Sequence, residues 1–312
     1  MRLVLAILAA LLAIYLGAVA WLVAGSTEAS LRVGPIAEAL AQQERPADPL
    51  ELGYRGDPRA ALGLDFEDVR IPTELGPAPG WFVEGDRDAT FAAIHVHGIA
   101  GAREDGYRLL SLLHDAGVPV LLITYRNDPG APASPDGRYG FGLTEWRDLE
   151  AAVEFLAQRG YSRQIVAADS MGGAILGQFL KRSDRAEAIV GVVLDAPALD
   201  LVAVVGGMAA RHWAPLTSVA LPVAAWLMPH AGYVDMRAAR VGEVFEQFPG
   251  PVFLAHGADD SVVPVATSRD LAARRQGVTV LLQSAGDHLG SFYEDPRRYG
   301  QALGAFLSLL DP

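Results

Sequence analysis

Cysteine is absent from the 312-residue chain, and lysine occurs once, at Lys181. The first absence excludes disulfides, thiolate nucleophiles and cysteine-ligated metal sites, and selects no compartment. The second leaves arginine as nearly the whole cationic complement, within a formal net charge of -12. A nucleic-acid partner requires a concentrated basic face that displaces counterions, and no Lys/Arg cluster of that kind occurs, so none is expected. Metal-ligand spacing is missing too. His95, His114, His212, His230 and His256 form no metal-spaced pair with a nearby carboxylate and are expected as packing or rim residues.

Apolar runs, by contrast, are prominent. The first, Leu3 to Ala24, lies between Arg2 and Gly25-Ser-Thr-Glu28. At about 1.5 Å per residue it reaches roughly 33 Å, enough to cross a bilayer core. Ala18-Val-Ala20 has the form of a signal-peptidase site, but the run continues past it through Trp21-Leu-Val-Ala24. Residues 1–25 are therefore expected to be an uncleaved membrane anchor, with secretion after cleavage as the alternative. Either places the remaining chain outside the cytoplasm, because Arg2 precedes the span and Glu28 follows it.

Residues 26–63, broken by Pro35, Pro46, Pro49 and Pro58, read as a tether with one helix over residues 35–43. From Leu64 the pattern becomes regular. Two short strands around a Gly-Pro turn open the domain, and strands over 91–96, 119–124, 165–168 and 189–194 then alternate with helical segments. That alternation predicts an α/β domain over residues 64–312, with a doubly wound, mostly parallel sheet. The rhythm stops over residues 199–248. Within it, His212 to Val234 carries no charge but includes Trp213, Trp226, Pro215, Pro222 and Pro229. A second membrane span there would put Ser170 and the downstream sheet on opposite faces, and three prolines suit a continuous helix poorly. A cap of short helices is expected instead, covering an acyl pocket or resting on the bilayer.

The organising stretch is Gln164-Ile-Val-Ala-Ala-Asp-Ser170-Met-Gly-Gly-Ala, a buried strand, a tight corner carrying one serine, and a helix. Such a corner strains its central residue and needs small neighbours two positions away on each side, here Ala168 and Gly172. His97-Gly98-Ile99 follows a buried strand, where glycine lets the backbone curl at the carboxyl edge of the sheet. Gly257-Ala-Asp-Asp260-Ser-Val-Val-Pro264 follows another, and Gly286-Asp-His288 a third.

Serine, acid and histidine thus occur in that chain order, each after a strand. On these motifs the chain from Leu64 onward resembles the α/β-hydrolase superfamily, in particular its capped lipases, esterases and serine aminopeptidases. It departs from the family's Gly-x-Ser-x-Gly elbow only in having Ala168 at the first small position. The resemblance implies Ser170 as nucleophile, His288 as base and Asp260 as the acid that orients it, with the N–H groups of Ile99 and Met171 forming an oxyanion hole. It implies a small-molecule acyl substrate and neither metal nor organic cofactor. Hydrolysis of a carboxylic ester is expected; peptidase or acyltransferase chemistry, or a membrane-anchored binding protein with a lapsed site, are the alternatives. Oligomeric state is not legible. Alkaline phosphatase fused after Pro312 should be active outside the cytoplasm, and an active cytoplasmic reporter at the same point would reverse the topology.

Overall fold

The computed structural model describes residues 1–211 and 216–310. His212, Trp213 and Pro215 lie outside the described residues. Helix α1 (Arg2–Leu31) is followed by two short helices, α2 (Pro35–Ala41) and α3 (Pro58–Leu62). Strands β1 (Glu67–Thr73) and β2 (Gly76–Val83) form the expected antiparallel hairpin. Then come β3 (Ala92–Val96), α4 (Tyr107–Asp115), β4 (Val120–Ile123), α5 (Trp146–Gln158), β5 (Gln164–Asp169), α6 (Met171–Arg182) and β6 (Ile189–Asp195). Residues 199–248, the segment expected as a cap and called so below, hold α7 (Leu201–Arg211), α8 (Thr217–His230) and α9 (Gly242–Gln247). The chain closes with β7 (Val252–Gly257), α10 (Val265–Arg274), β8 (Thr279–Ser284), α11 (Ser291–Glu294) and α12 (Pro296–Leu307).

The eight strands form one sheet in the order β1-β2-β4-β3-β5-β6-β7-β8, parallel from β4 to β8. Chain direction across the sheet reverses between β3 and β5, because β4 lies on one side of β3 and β5 on the other. At such a switch point the loops leaving the two strands diverge and open a crevice at their carboxyl ends. His97 leaves β3 there, and Ser170 leaves β5. Both faces of the sheet are covered, as the all-buried strands β3 to β5 require. Leu149, Val153 and Leu156 of α5 pack on one face with Ile175 and Phe179 of α6; Leu109 and Leu113 of α4 pack on the other with Tyr299 and Phe306 of α12. The three- and four-residue spacing of these positions makes each helix one-sided.

The N-terminal helix differs from expectation in its extent. It does not stop at Ala24 but runs unbroken to Leu31, because Ala20, Ala24, Thr27 and Leu31 continue one buried face against the cap. Residues 26–63, expected as a tether with one helix, carry the end of α1, α2 and α3 and bond to the domain at several points. Glu28 pairs with Arg138, the Gly53 N–H donates to Asp105, and Tyr107 and Tyr293 donate to the carbonyls of Gly56 and Leu50. The cap also contains a longer helix than its prolines suggest. Helix α8 continues through Pro222, which is exposed, and Pro229.

The close approach of two strand ends sets a stringent requirement at Gly257. A Cβ there would collide with the backbone carbonyl of Gly286, in the loop that carries His288. Neither partner is a flexible side chain. Gly257→Ala should therefore lower stability by about 2 kcal/mol in urea unfolding, whereas Gly242→Ala, at an open position, should be close to neutral.

Candidate active site

Ser170 stands at the corner between β5 and α6 with φ 51 and ψ -116, a left-handed conformation foreign to most L-residues. Two backbone bonds hold it there: its N–H donates to the Asp195 carbonyl, and its own carbonyl accepts from Ala198. Gly172 must be glycine, because a Cβ would strike the Val96 carbonyl. Ala168, wholly buried in β5, packs its methyl within the apolar core. The departure from glycine at that position is thus accommodated by packing.

The loops after β5, β7 and β8 bring three distant side chains into line. Nε2 of His288 lies 2.9 Å from Ser170 Oγ, and its Nδ1 lies 2.8 Å from Asp260 Oδ2. Asp260 is buried, and its Oδ1 accepts the N–H groups of Val262 and Val263. Burial alone would raise its carboxyl, but hydrogen bonds from His256 and His288 outweigh that and hold it far below the usual carboxylate range. Asp259 is exposed. Asp287 accepts the N–H groups of Ser261 and His288 and so ties the acid loop to the histidine loop. Such an arrangement can take a proton from a serine hydroxyl and return it to a leaving group.

The loop after β3 lies against the serine. Gly98 is close enough that a Cβ on it would stand 3.2 Å from that of Ser170. Ala100, with φ 54, turns the chain immediately after Ile99. Ile99 follows Gly98 in that loop, and Met171 opens α6 directly after the serine. A groove of about 840 Å³ lined by Lys181, Glu187, Arg237 and Arg240 shares no residue with this site.

Two buried polar clusters support the site and were not legible in the sequence. In the first, both ring nitrogens of His97 face oxygens: Nδ1 lies 2.8 Å from the Gly98 carbonyl and Nε2 lies 2.9 Å from Asp128. A neutral imidazole has one N–H, so two acceptors require the imidazolium. Burial opposes that charge, but the Asp128 carboxylate prevails and raises His97 to about 9. Burial also pushes Asp128 upward. We assign the ionised pair because the same Asp128 oxygen accepts the Tyr125 N–H. The Tyr125 hydroxyl adds a second donor to the Gly98 carbonyl.

The second cluster lies beneath Ser170. Arg108, wholly buried, donates to Asp169 at 2.8 Å and approaches Asp195 at 3.5 Å. His95 Nε2 lies 3.0 Å from the same Asp169 oxygen, and Tyr299 donates to Asp195. Burial and the neighbouring Asp169 raise Asp195 to about 6, against the pull of Arg108. His95 and His256 are thus packing residues with defined partners. His256 contacts Ser268 through Nδ1 and lies 3.1 Å from Asp260. His230 bonds the Trp226 carbonyl at the rim of the cap, and His212 lies outside the described residues. A histidine directly after a buried strand and an aspartate beside the elbow serine were the available signals, but their partners come from remote loops.

No family model matches the chain. Its overall arrangement is that of the α/β-hydrolase fold, a mixed sheet of eight strands with helices on both faces. An esterase of Pyrococcus furiosus, Pf2001, superposes with a TM-score of 0.64 at 21% identity, over 86% of this chain and 99% of that one. The esterase RhEst1 from Rhodococcus sp. ECU1013 gives 0.54 at 19% identity, over 78% and 99%. In sequence the chain is similar to the uncharacterized protein YfhR of Escherichia coli K12, 26% identical over 273 residues, 83% of this chain and 85% of that protein.

The ionised His97–Asp128 pair makes stability depend on alkaline pH. An unfolded histidine titrates near 6.5 and the folded one at about 9. Its contribution is therefore complete below 6.5 and lost as pH rises through 9. Urea unfolding at pH 6.5 and 9.5 should show a loss on the order of 2 kcal/mol, with a flatter profile in Asp128→Asn. A wild-type stability that does not fall over this range would reject the charged pair.

Proposed function

We propose that the protein is a serine hydrolase of carboxylic esters, acting through an acyl-enzyme. The observation that carries this reading is the alignment of Ser170, His288 and Asp260, with the serine strained outward at the switch point. Serine attacks an ester carbonyl only when its proton has somewhere to go. His288 takes it, and Asp260 fixes the tautomer that leaves Nε2 facing the hydroxyl and stabilises the imidazolium that forms. The N–H groups of Ile99 and Met171 receive the negative oxygen of the tetrahedral intermediate, each worth about 3 to 4 kcal/mol when lost. The alcohol leaves with the proton from His288, and water repeats the sequence to release the acid. The esterase names of the fold's neighbours favour esters over amides. An apolar cap in the branch of capped lipases and esterases suits an acyl-bearing substrate, with no metal or cofactor required. The long apolar N-terminal helix serves as an uncleaved anchor that holds the domain on the extracytoplasmic side.

Ser170→Ala should retain its fold, lose fluorophosphonate labelling and lose p-nitrophenyl ester turnover. Asp260→Asn should lower kcat by on the order of 10³–10⁴ with an intact melting transition, because an amide favours the wrong imidazole tautomer. The exposed neighbour Asp259→Asn should keep most activity and cost about 1 kcal/mol or less. Full activity in Ser170→Ala would end the serine-hydrolase reading. Interchanged behaviour of the two aspartate variants would move the acid to Asp259.

A further inference from the structure

We propose that the hairpin of α7 and α8 sinks into the membrane leaflet from which α1 emerges, so that the Ser170 site opens at the lipid surface. The proposal rests on α1 being a membrane anchor and is independent of the reaction catalysed.

The relative direction of the helices comes first. Arg138 pairs with Glu28 near the end of α1 at 2.6 Å and donates to the Gly232 carbonyl just past α8 at 2.7 Å. The two helices thus end at the same level and run side by side in the same direction, α1 presenting Leu16, Ala20, Ala24, Thr27 and Leu31 to the cap. From His230 back to Thr217 is about 20 Å at 1.5 Å per residue. The same distance back along α1 from Glu28 reaches the neighbourhood of Tyr15. The start of α8 therefore lies beside the middle of the apolar run, not beyond its end.

That placement conflicts with a domain held clear of the bilayer. The apolar run is bounded by the charge of Arg2, and from Leu3 to Ile14 every side chain is exposed. This outward stretch, residues 3–14, is only about 18 Å long, against a hydrocarbon core of roughly 30 Å. A span can be completed only by the part of α1 that packs on α8, so α8 lies at membrane depth with it.

The composition of α8 fits that position. Val219, Val223 and Trp226 recur at helical spacing on its outer face, with Leu216 just ahead of them, each between 42% and 52% exposed. No charged residue occurs from His212 to Val234. Glu28, Arg138, Asp235 and Arg237 then gather at the opposite end, where α1 and α8 finish, and mark the polar boundary. Trp226, its ring tilted against that of His230 near that end, has the amphipathic character that favours the interface. Arg211 at the end of α7 turns back to donate to the Asp260 carbonyl, which keeps its head beside the domain. Gly207 packs against Pro264 in the same acid loop. The hairpin consequently carries the edge of the Ser170–His288–Asp260 site down to the lipid.

Because the chain has no cysteine, single thiols can report depth in the full-length protein reconstituted in phosphatidylcholine–phosphatidylglycerol nanodiscs. Val219→Cys and Val223→Cys should react with a membrane-impermeant maleimide at least tenfold more slowly than Ser308→Cys, which is exposed on the far face of the sheet. A fluorophore on either cap thiol should be quenched by lipids bearing an acyl-chain nitroxide. Leu8→Cys separates the two readings. If it is protected while the cap thiols react at the Ser308→Cys rate, or are slow but unquenched, the hairpin does not enter the leaflet and the anchor stands. If Leu8→Cys reacts freely, anchor and proposal fall together. Ester turnover by the same samples reads the hydrolase assignment separately.

Discussion

The backbone of Ser170 is the constraint on which the site depends. A non-glycine residue at positive φ costs on the order of 1–3 kcal/mol and persists only where its surroundings leave it no alternative. Here the surroundings are the sheet itself. Its N–H is spoken for by the carbonyl at the end of β6, its carbonyl by the chain that follows β6, and Gly172 is pressed against the end of β3. Three adjacent parallel strands must be in register before the serine can stand as it does, so the strain is a property of the assembled fold and not of the turn.

Buried charge extends the same logic. Arg108 bridges Asp169, beside the serine, and Asp195, whose carbonyl holds the serine N–H. His97, in the neighbouring loop, is held charged by Asp128 and grips the carbonyl of Gly98. Both clusters place an ion pair behind chain that lies next to Ser170. A buried pair contributes little net stability but makes wrong loop conformations expensive, since each would strand a charge. Rigidity at the switch point is obtained in this way without a disulfide.

Much of this was legible in the sequence because the relevant signals are local. Strand alternation, the small residues around Ser170, and acid and histidine after later strands define the α/β architecture and the candidate residues before any contact is known. The resemblance favoured Asp260 over Asp259 by its distance from Val263-Pro264, and in the structure it is Asp260 that lies 2.8 Å from His288. What was not legible depends on partners far apart in the chain. Asp128 reaches His97 from a Pro/Gly-rich loop that carries no periodicity, and Arg108 lies on a helix whose pattern leaves its direction ambiguous. The extent of α1 depends on remote contact in the same way. The apolar run closes at Ala24, before Gly25 and polar residues, yet packing against α8 carries the helix on to Leu31. Tertiary contact overrode local preference there.

That unbroken helix has a mechanical consequence. No hinge separates the apolar part of α1 from the part seated on the cap, so under the anchor reading proposed above helix and domain form one lever. Transmembrane helices answer a change in bilayer thickness by changing tilt. If α1 spans the membrane as proposed, a change of tilt rotates the whole α/β domain with it, swinging the rim of the Ser170 site toward or away from the headgroups. Membrane thickness would then act as a mechanical setting of how the cleft is presented.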